Sequence, residues 1–312
     1  MNFSFFRKQQ LMRRVLYSLI PIVIASIFFF GWRTIALLIV VIITGIATEY
    51  FFANKRKQPV SEAVIVSCVL YTLTLPPTLP FWIAIVGIVF GITFGKELFG
   101  GFGKNIFNPA LVGRSFIYIS FANPMTINWT TPITNIGGFT QWIIGVDSIT
   151  SSTPMINFQA NGILTPYIEM VIGNIGGSIG ETSAILIILA AIYLIKTKTA
   201  SWQIMTGVLI GFLSLSTLLY ALGIPQVPPP IWGLLSGGVL FGTVYMATDP
   251  ISAPTTKEGK WIYGILIGII IVVIRGYSLF SGGVMFAILI GNTFAPLIDT
   301  TIVEYKKRKV SA

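Results

Sequence analysis

Arg33-Thr34-Ile35-Ala36-Leu37-Leu38-Ile39-Val40-Val41-Ile42-Ile43-Thr44-Gly45-Ile46-Ala47-Thr48-Glu49-Tyr50-Phe51-Phe52-Ala53-Asn54-Lys55-Arg56-Lys57 has the pattern of a helix that crosses a bilayer. Residues 35–53 form an almost unbroken apolar run, closed by three consecutive cations. A helix needs about 20 mostly apolar residues to cross a bilayer, and Lys and Arg collect in connections on the cytoplasmic side. One membrane span ending at the inner surface follows. The rest of the chain repeats the pattern. Apolar runs of comparable length occupy residues 15–31, 62–75, 81–95 and 106–121, then 182–195, 204–222, 231–246, 261–275 and 283–299. Ten spans place both termini inside. The N-terminus, the C-terminus and the four connections 2–3, 4–5, 6–7 and 8–9 then hold 17 of the 20 basic residues. The remaining three are Arg33, Arg114 and Arg275, with Arg114 inside a span.

Composition agrees. The 312 residues are 54% hydrophobic and 10% charged, against about 25% charged in a soluble domain. A soluble enzyme, a disulfide scaffold and a disordered chain are excluded. The net charge of +10 is spread over alternate connections, which speaks for membrane lipid as its partner and against nucleic acid. The single Cys68 allows no internal disulfide, and there is no histidine. Zinc sites of the HExxH type, haem ligation by His and Ser-His-Asp triads are therefore excluded. Redox chemistry would need a bound organic cofactor. Residues 15–31 follow a basic start, as a signal peptide would. No small-residue cleavage site follows Phe28-Phe29-Phe30-Gly31, so an uncleaved helix is expected.

Two short matches point to an internal repeat. Thr74-Leu75-Pro76 with Pro80 and Thr248-Asp249-Pro250 with Pro254 both read T-x-P-x-x-x-P. Asn105 to Pro109 and Asn292 to Pro296 both read N-x-F-x-P. Five spans are an odd number, so such a repeat is inverted, an arrangement that builds midplane sites from broken helices. The expected organisation is an all-α integral membrane protein. Residues 1–121 form a first five-helix repeat, 122–181 an extracytoplasmic loop, and 182–312 a second five-helix repeat. The loop has no Lys or Arg in about 60 residues, and loops beyond roughly 12–15 residues usually carry function or are disordered.

Several segments are candidates for chemistry. Lys96-Glu97-Leu98-Phe99-Gly100-Gly101-Phe102-Gly103-Lys104-Asn105 would let a flavin or nucleotide approach its backbone; the alternative is a tight turn with a solvated Lys–Glu pair. Arg114 within a span is either an anion-binding group or the structural partner of a neighbouring acid or helix end. Gly173 to Ser183 is glycine-rich, with hydroxyls at Thr182 and Ser183 able to cap the helix start and leave an anion site. Asp249 would bind a cation or a flavin ring N–H, or make an Asx turn. The hydroxyl-rich run 147–154 singles out no residue by composition.

Gly95-Lys96-Glu97-Leu98-Phe99-Gly100-Gly101 and Asn105-Ile106-Phe107-Asn108-Pro109-Ala110-Leu111-Val112-Gly113-Arg114 nevertheless resemble the signature of the NqrB/RnfD membrane subunits. So do Gly176-Gly177-Ser178-Ile179-Gly180-Glu181-Thr182-Ser183, Met246-Ala247-Thr248-Asp249-Pro250 and Phe294-Ala295-Pro296-Leu297-Ile298-Asp299. The length of the chain is closest to the D subunit of the Rnf complex. The resemblance implies an electron-transfer subunit of an ion-translocating ferredoxin:NAD oxidoreductase in the bacterial or archaeal cytoplasmic membrane, moving sodium or protons. It also implies FMN joined by a phosphoester to a threonine in a motif resembling D-x-x-S-G-A-T. Here that motif reads Asp147-Ser148-Ile149-Thr150-Ser151-Ser152-Thr153, with Thr153 as acceptor and three small substitutions before it. The added hydroxyl beside the acceptor makes Ser152 or Thr150 an alternative. Arg114, Asn108, Glu181 and Asp249 are the accompanying cofactor-binding candidates, and a second, noncovalent riboflavin is the further expectation near Lys96–Asn105 or Asp249. Implied partners are the other Rnf subunits, including iron–sulfur and second FMN-bearing subunits, and a flavin transferase. The competing readings are a stand-alone secondary transporter with inverted repeats and a purely structural membrane scaffold.

Overall fold

The computed structural model describes residues 5–126, 129–133, 136–142, 153–181, 183–278 and 282–311. Asp147 to Ser152 and Thr182 lie outside the described residues. Helices dominate: α1 (Gln10–Phe30), α2 (Arg33–Lys55), α3 (Ala63–Leu73), α4 (Phe81–Gly95), α5 (Pro109–Ser120) and a short α6 (Ala122–Thr126). After them come α7 (Pro154–Asn161), α8 (Tyr167–Ile172), α9 (Ala184–Lys196), α10 (Trp202–Ala221), α11 (Pro230–Leu235), α12 (Val239–Phe241), α13 (Lys257–Tyr277) and α14 (Gly283–Ser311). The only sheet among the described residues is a parallel pair, β1 (Phe6–Arg7) against β2 (Val60–Ser61).

This is an all-α membrane protein. Among the described residues six helices are long and apolar enough to cross a membrane: α1, α2, α4 with its extra turn to Phe99, α10, α13 and α14. The outward faces of these helices carry large apolar residues such as Ile39, Ile43, Ile210 and Leu218, all exposed, as lipid contact requires. The other four expected spans are shorter helices, and proline and glycine explain three of them. Span 62–75 gives only α3, because Pro76 and Pro77 lack an N–H and the residue before a proline avoids the helical region. Its freed carbonyls are satisfied from elsewhere: Ile179 N–H donates to Leu75 O (3.0 Å) and Gly180 N–H to Leu73 O (2.7 Å). Span 106–121 starts late, at Pro109, where Asn108 caps the helix by accepting from Ala110 N (3.0 Å) and Leu111 N (3.4 Å). Span 182–195 is represented by α9. Span 231–246 is broken between α11 and α12 at Gly237 and Gly238, both at positive φ, and ends in one wide π turn, Gly242–Met246.

Glycine also sets the helix spacing. Gly207 and Gly211 of α10 meet Gly264 and Gly268 of α13, and a Cβ on Gly268 would stand 2.3 Å from Val208 O and 2.5 Å from Phe212 N. Gly91 of α4 and Gly113 of α5 are equally close to the opposing backbone. Small residues let membrane helices approach where no hydrophobic force drives them together. The variant Gly268→Val is expected to lower thermal stability by about 1–3 kcal/mol or more, because the obstruction is backbone and cannot rotate away. Gly276→Ala, whose Cβ would meet only a Val227 methyl at 3.4 Å, should change little. Equal melting temperatures for the two variants in detergent would contradict this packing.

The connections sort to two ends. At one end β1 pairs with β2, Arg56 bonds Glu97, Arg14 Nη1 donates to Thr197 O (2.8 Å), and Lys306 bonds Glu258. These contacts gather both termini and all four basic connections into one basic end. At the other end Arg33 donates to the carbonyls of Pro77 and Leu79, Trp32 N to Gln141 O, and Trp232 Nε1 to Thr165 O. Arg33, Arg114 and Arg275, the three cations outside the basic connections, are each held by protein acceptors. Arg275, 4% exposed, donates to Gly233 O, Ser236 O and Gly237 O and so caps the carbonyl end of α11.

Candidate functional site

The structure divides the five candidate residues between two cavities. Thr153, Arg114 and Glu181 line one cleft at the end opposite the basic connections, together with Trp129, Gly177 and Ser178. Thr153 is the residue before α7, and its Oγ1 accepts from Ile156 N (3.3 Å). Pro154 at the first helical position supplies a preset φ there. A group carried on Thr153 Oγ1 therefore starts at a helix N-terminus, where the helix dipole favours negative charge.

Arg114 rises from α5. Its Nη1 donates to Glu181 Oε1 (2.9 Å) and its Nη2 to Ser178 Oγ (3.5 Å), while its buried Nε has no protein partner. The pairing with Glu181 matches the structural alternative for Arg114, yet the guanidinium still faces the cleft. Glu181 is pressed against Gly238, where a Cβ would fall 2.4 Å from its Cδ, so the broken span 8 fixes the acid that orients the arginine. Gly177 has open space where a side chain would project. One sequence expectation fails here: Ser183 precedes α9 but makes no side-chain cap. The glycine-rich segment instead spends the N–H groups of Ile179 and Gly180 on the broken α3.

Asn108 and Asp249 lie in a second cavity at the basic end, shared with Lys96, Phe102, Asn105 and Tyr245. Asn108 is occupied as a helix cap, and its N–H donates to Asn292 Oδ1 (3.3 Å). Asn292 in turn donates to Tyr263 OH (2.7 Å) and Ser252 O (3.3 Å), tying the two N-x-F-x-P segments together. Asp249 makes an Asx turn, Oδ1 accepting from Ile251 N (3.1 Å). It sits in the connection before α13; burial raises its carboxyl above the ordinary range, and the Ile251 N–H opposes that rise. Lys96 and Glu97 are not a solvated pair. Lys96 Nζ lies 2.5 Å from Glu49 Oε2 and 2.7 Å from Ser61 Oγ, with Lys96 and Glu49 2% and 3% exposed, while Glu97 is buried against Arg56. Sequence reading missed Glu49. Its one signal was an acid one turn inside the end of an otherwise apolar run.

A family model described as the NQR2, RnfD, RnfE family matches residues 6–308. The chain belongs to that family. Similar proteins in it include the B subunit of the Na(+)-translocating NADH-quinone reductase of Ectopseudomonas mendocina (strain ymp), 43% identical over 272 residues, which covers 85% of this chain and 66% of that protein. The protein of the same name from Klebsiella pneumoniae (strain 342) is 40% identical over 284 residues, covering 87% of this chain and 67% of its own length. The chain thus spans about two thirds of the length of the curated relatives it matches. As an NQR2/RnfD/RnfE protein with six long apolar helices, it is a multi-pass protein of the bacterial inner membrane.

Proposed function

We propose that this chain is a flavin-bearing electron-transfer subunit of an Rnf-type complex, coupling ferredoxin:NAD electron transfer to outward movement of sodium or protons. The observation that carries the reading is the Thr153 cleft: a hydroxyl at a helix start opening onto the same space as a half-buried arginine whose buried Nε is unpartnered. Those residues fit FMN held by a phosphoester on Thr153. Arg114 would face its phosphate, Glu181 and Ser178 would hold Arg114 in place, and Gly177 leaves room for the ring. The flavin, when bound, supplies one- or two-electron transfer. This chain's own part is to orient it and to exclude water with Trp129 and Met155. Iron–sulfur clusters and nucleotide sites belong on partner subunits, since this chain has one cysteine and no histidine. The basic-end cavity, with Lys96, Asn105 and Asp249 on its wall, supports a second, noncovalent riboflavin.

Ten spans in two inverted repeats are part of the same proposal. The packing of α4 on both α2 and α5 parallels that of α13 on α10 and α14, and the broken α3 parallels the broken α11–α12. Thr74-Leu75-Pro76 and Thr248-Asp249-Pro250 lie at opposite ends, which favours inversion. With the basic end cytoplasmic, a single cysteine placed at Glu304 should react with an impermeant maleimide only from inside, and one at Asn161 only from outside; native Cys68 is buried. Labelling of both from one side would refute the orientation. The broken helices also favour a stand-alone transporter as a second reading. Flavin fluorescence in a denaturing gel separates the two, because a flavin-free transporter gives no fluorescent band.

A further inference from the structure

A third hollow lies at the basic end, adjoining the second cavity at Phe102. It takes Arg7, Arg56 and Lys104 from three separate segments, with Gln58 and Ser61 between them. The strand pair fixes the geometry, since Arg7 stands in register with Ser61. The one acid on the wall, Glu49, is already spent: it accepts from Ser61 N (2.8 Å) and Ser61 Oγ (2.6 Å) and pairs with Lys96. Arg56 pairs with Glu97, but its Nε is buried without a partner. No protein acid is recorded opposite Arg7 or Lys104 among the described residues. The hollow is an anion site by charge.

Its surroundings select the anion. Two residues before Arg7, Phe5 stacks on Tyr50 of α2 (centroids 5.7 Å apart), and from there the exposed apolar face of α2 runs through Phe51 to Ile43 and Ile39. A soluble phosphate has no use for that strip, whereas a lipid has. Basic pockets between membrane helices on the cytoplasmic side hold lipid headgroups. We propose that this hollow seats the phosphodiester headgroup of an anionic phospholipid, its acyl chains lying along α2. The site uses the orientation proposed above but not the flavin.

The test is native mass spectrometry of the purified full chain, delipidated and titrated with phosphatidylglycerol or phosphatidylcholine. The variant Arg7→Gln/Lys104→Gln should retain phosphatidylglycerol roughly thirtyfold less well, since each surface cation contributes about a factor of five. Arg308→Gln/Lys309→Gln, with the same charge change at the exposed end of α14, should bind as the unaltered chain does. Equal losses in both variants, or equal retention of phosphatidylcholine, would overturn the site. Displacement of phosphatidylglycerol by millimolar inorganic phosphate would overturn the lipid assignment.

Discussion

Replacing Lys96 by Met is expected to be the most destabilising conservative change in this chain. Lys96 is nearly isosteric with Met, so packing is kept while the charge goes. Glu49 is then left as a carboxylate 3% exposed, with only Ser61 donating to it. Removing one partner of a buried ion pair costs about 3–5 kcal/mol, because the other charge stays desolvated and unpaired. A fall in melting temperature on the order of 10 °C in detergent follows. Replacing both partners by apolar residues of similar volume is often neutral, so Lys96→Met/Glu49→Leu should recover most of the loss. A single variant as stable as the unaltered chain, or a double variant no better than the single, would show that the pair does not hold the end of α2 to the connection after α4.

The largest functional effect is expected at Thr153. Thr153→Ala removes the oxygen that would carry the phosphoester but leaves Arg114 paired to Glu181 at 2.9 Å and the helix start intact apart from one cap bond. Loss of a cap costs about 1 kcal/mol, too little to prevent folding. Electron transfer through the assembled complex should therefore fall to background, with the partner subunits still bound. Thr153→Ser keeps an oxygen at the same place and should restore part of the flavin. An Ala variant that still fluoresces would move the acceptor to Thr150 or Ser152. An Ala variant that carries no flavin yet transfers electrons normally would make this chain a scaffold.

The membrane spans were legible because lipid demands one simple property over some twenty residues. Apolar runs and cation placement located α1, α2, α4, α10, α13 and α14. Where local rules compete, the reading blurred. Pro76 shortened α3, but Pro296, inside the expected span 283–299, lies inside α14, which continues beyond that span to Ser311. A proline removes one hydrogen bond, and packing on neighbours decides whether the helix survives. The cleft was legible in part. Arg114 announced itself as a charge inside a span, and Thr153 came from the motif it resembles. That Asn108 and Asp249 belong to a different cavity was not legible, nor was the contact of Glu49 with Lys96. Those facts depend on segments tens of residues apart being brought together, which periodicity does not encode.

Mass analysis of the loop peptide shows whether Thr153 carries FMN. The protein should come from its native host or be co-expressed with an active flavin transferase. No Lys or Arg lies between Arg114 and Lys196, so chymotrypsin must replace trypsin. The account predicts a peptide containing Thr153 heavier by one FMN phosphoester, fragmenting at that residue. An unmodified peptide, recovered while the same transferase modifies a control protein, would contradict it.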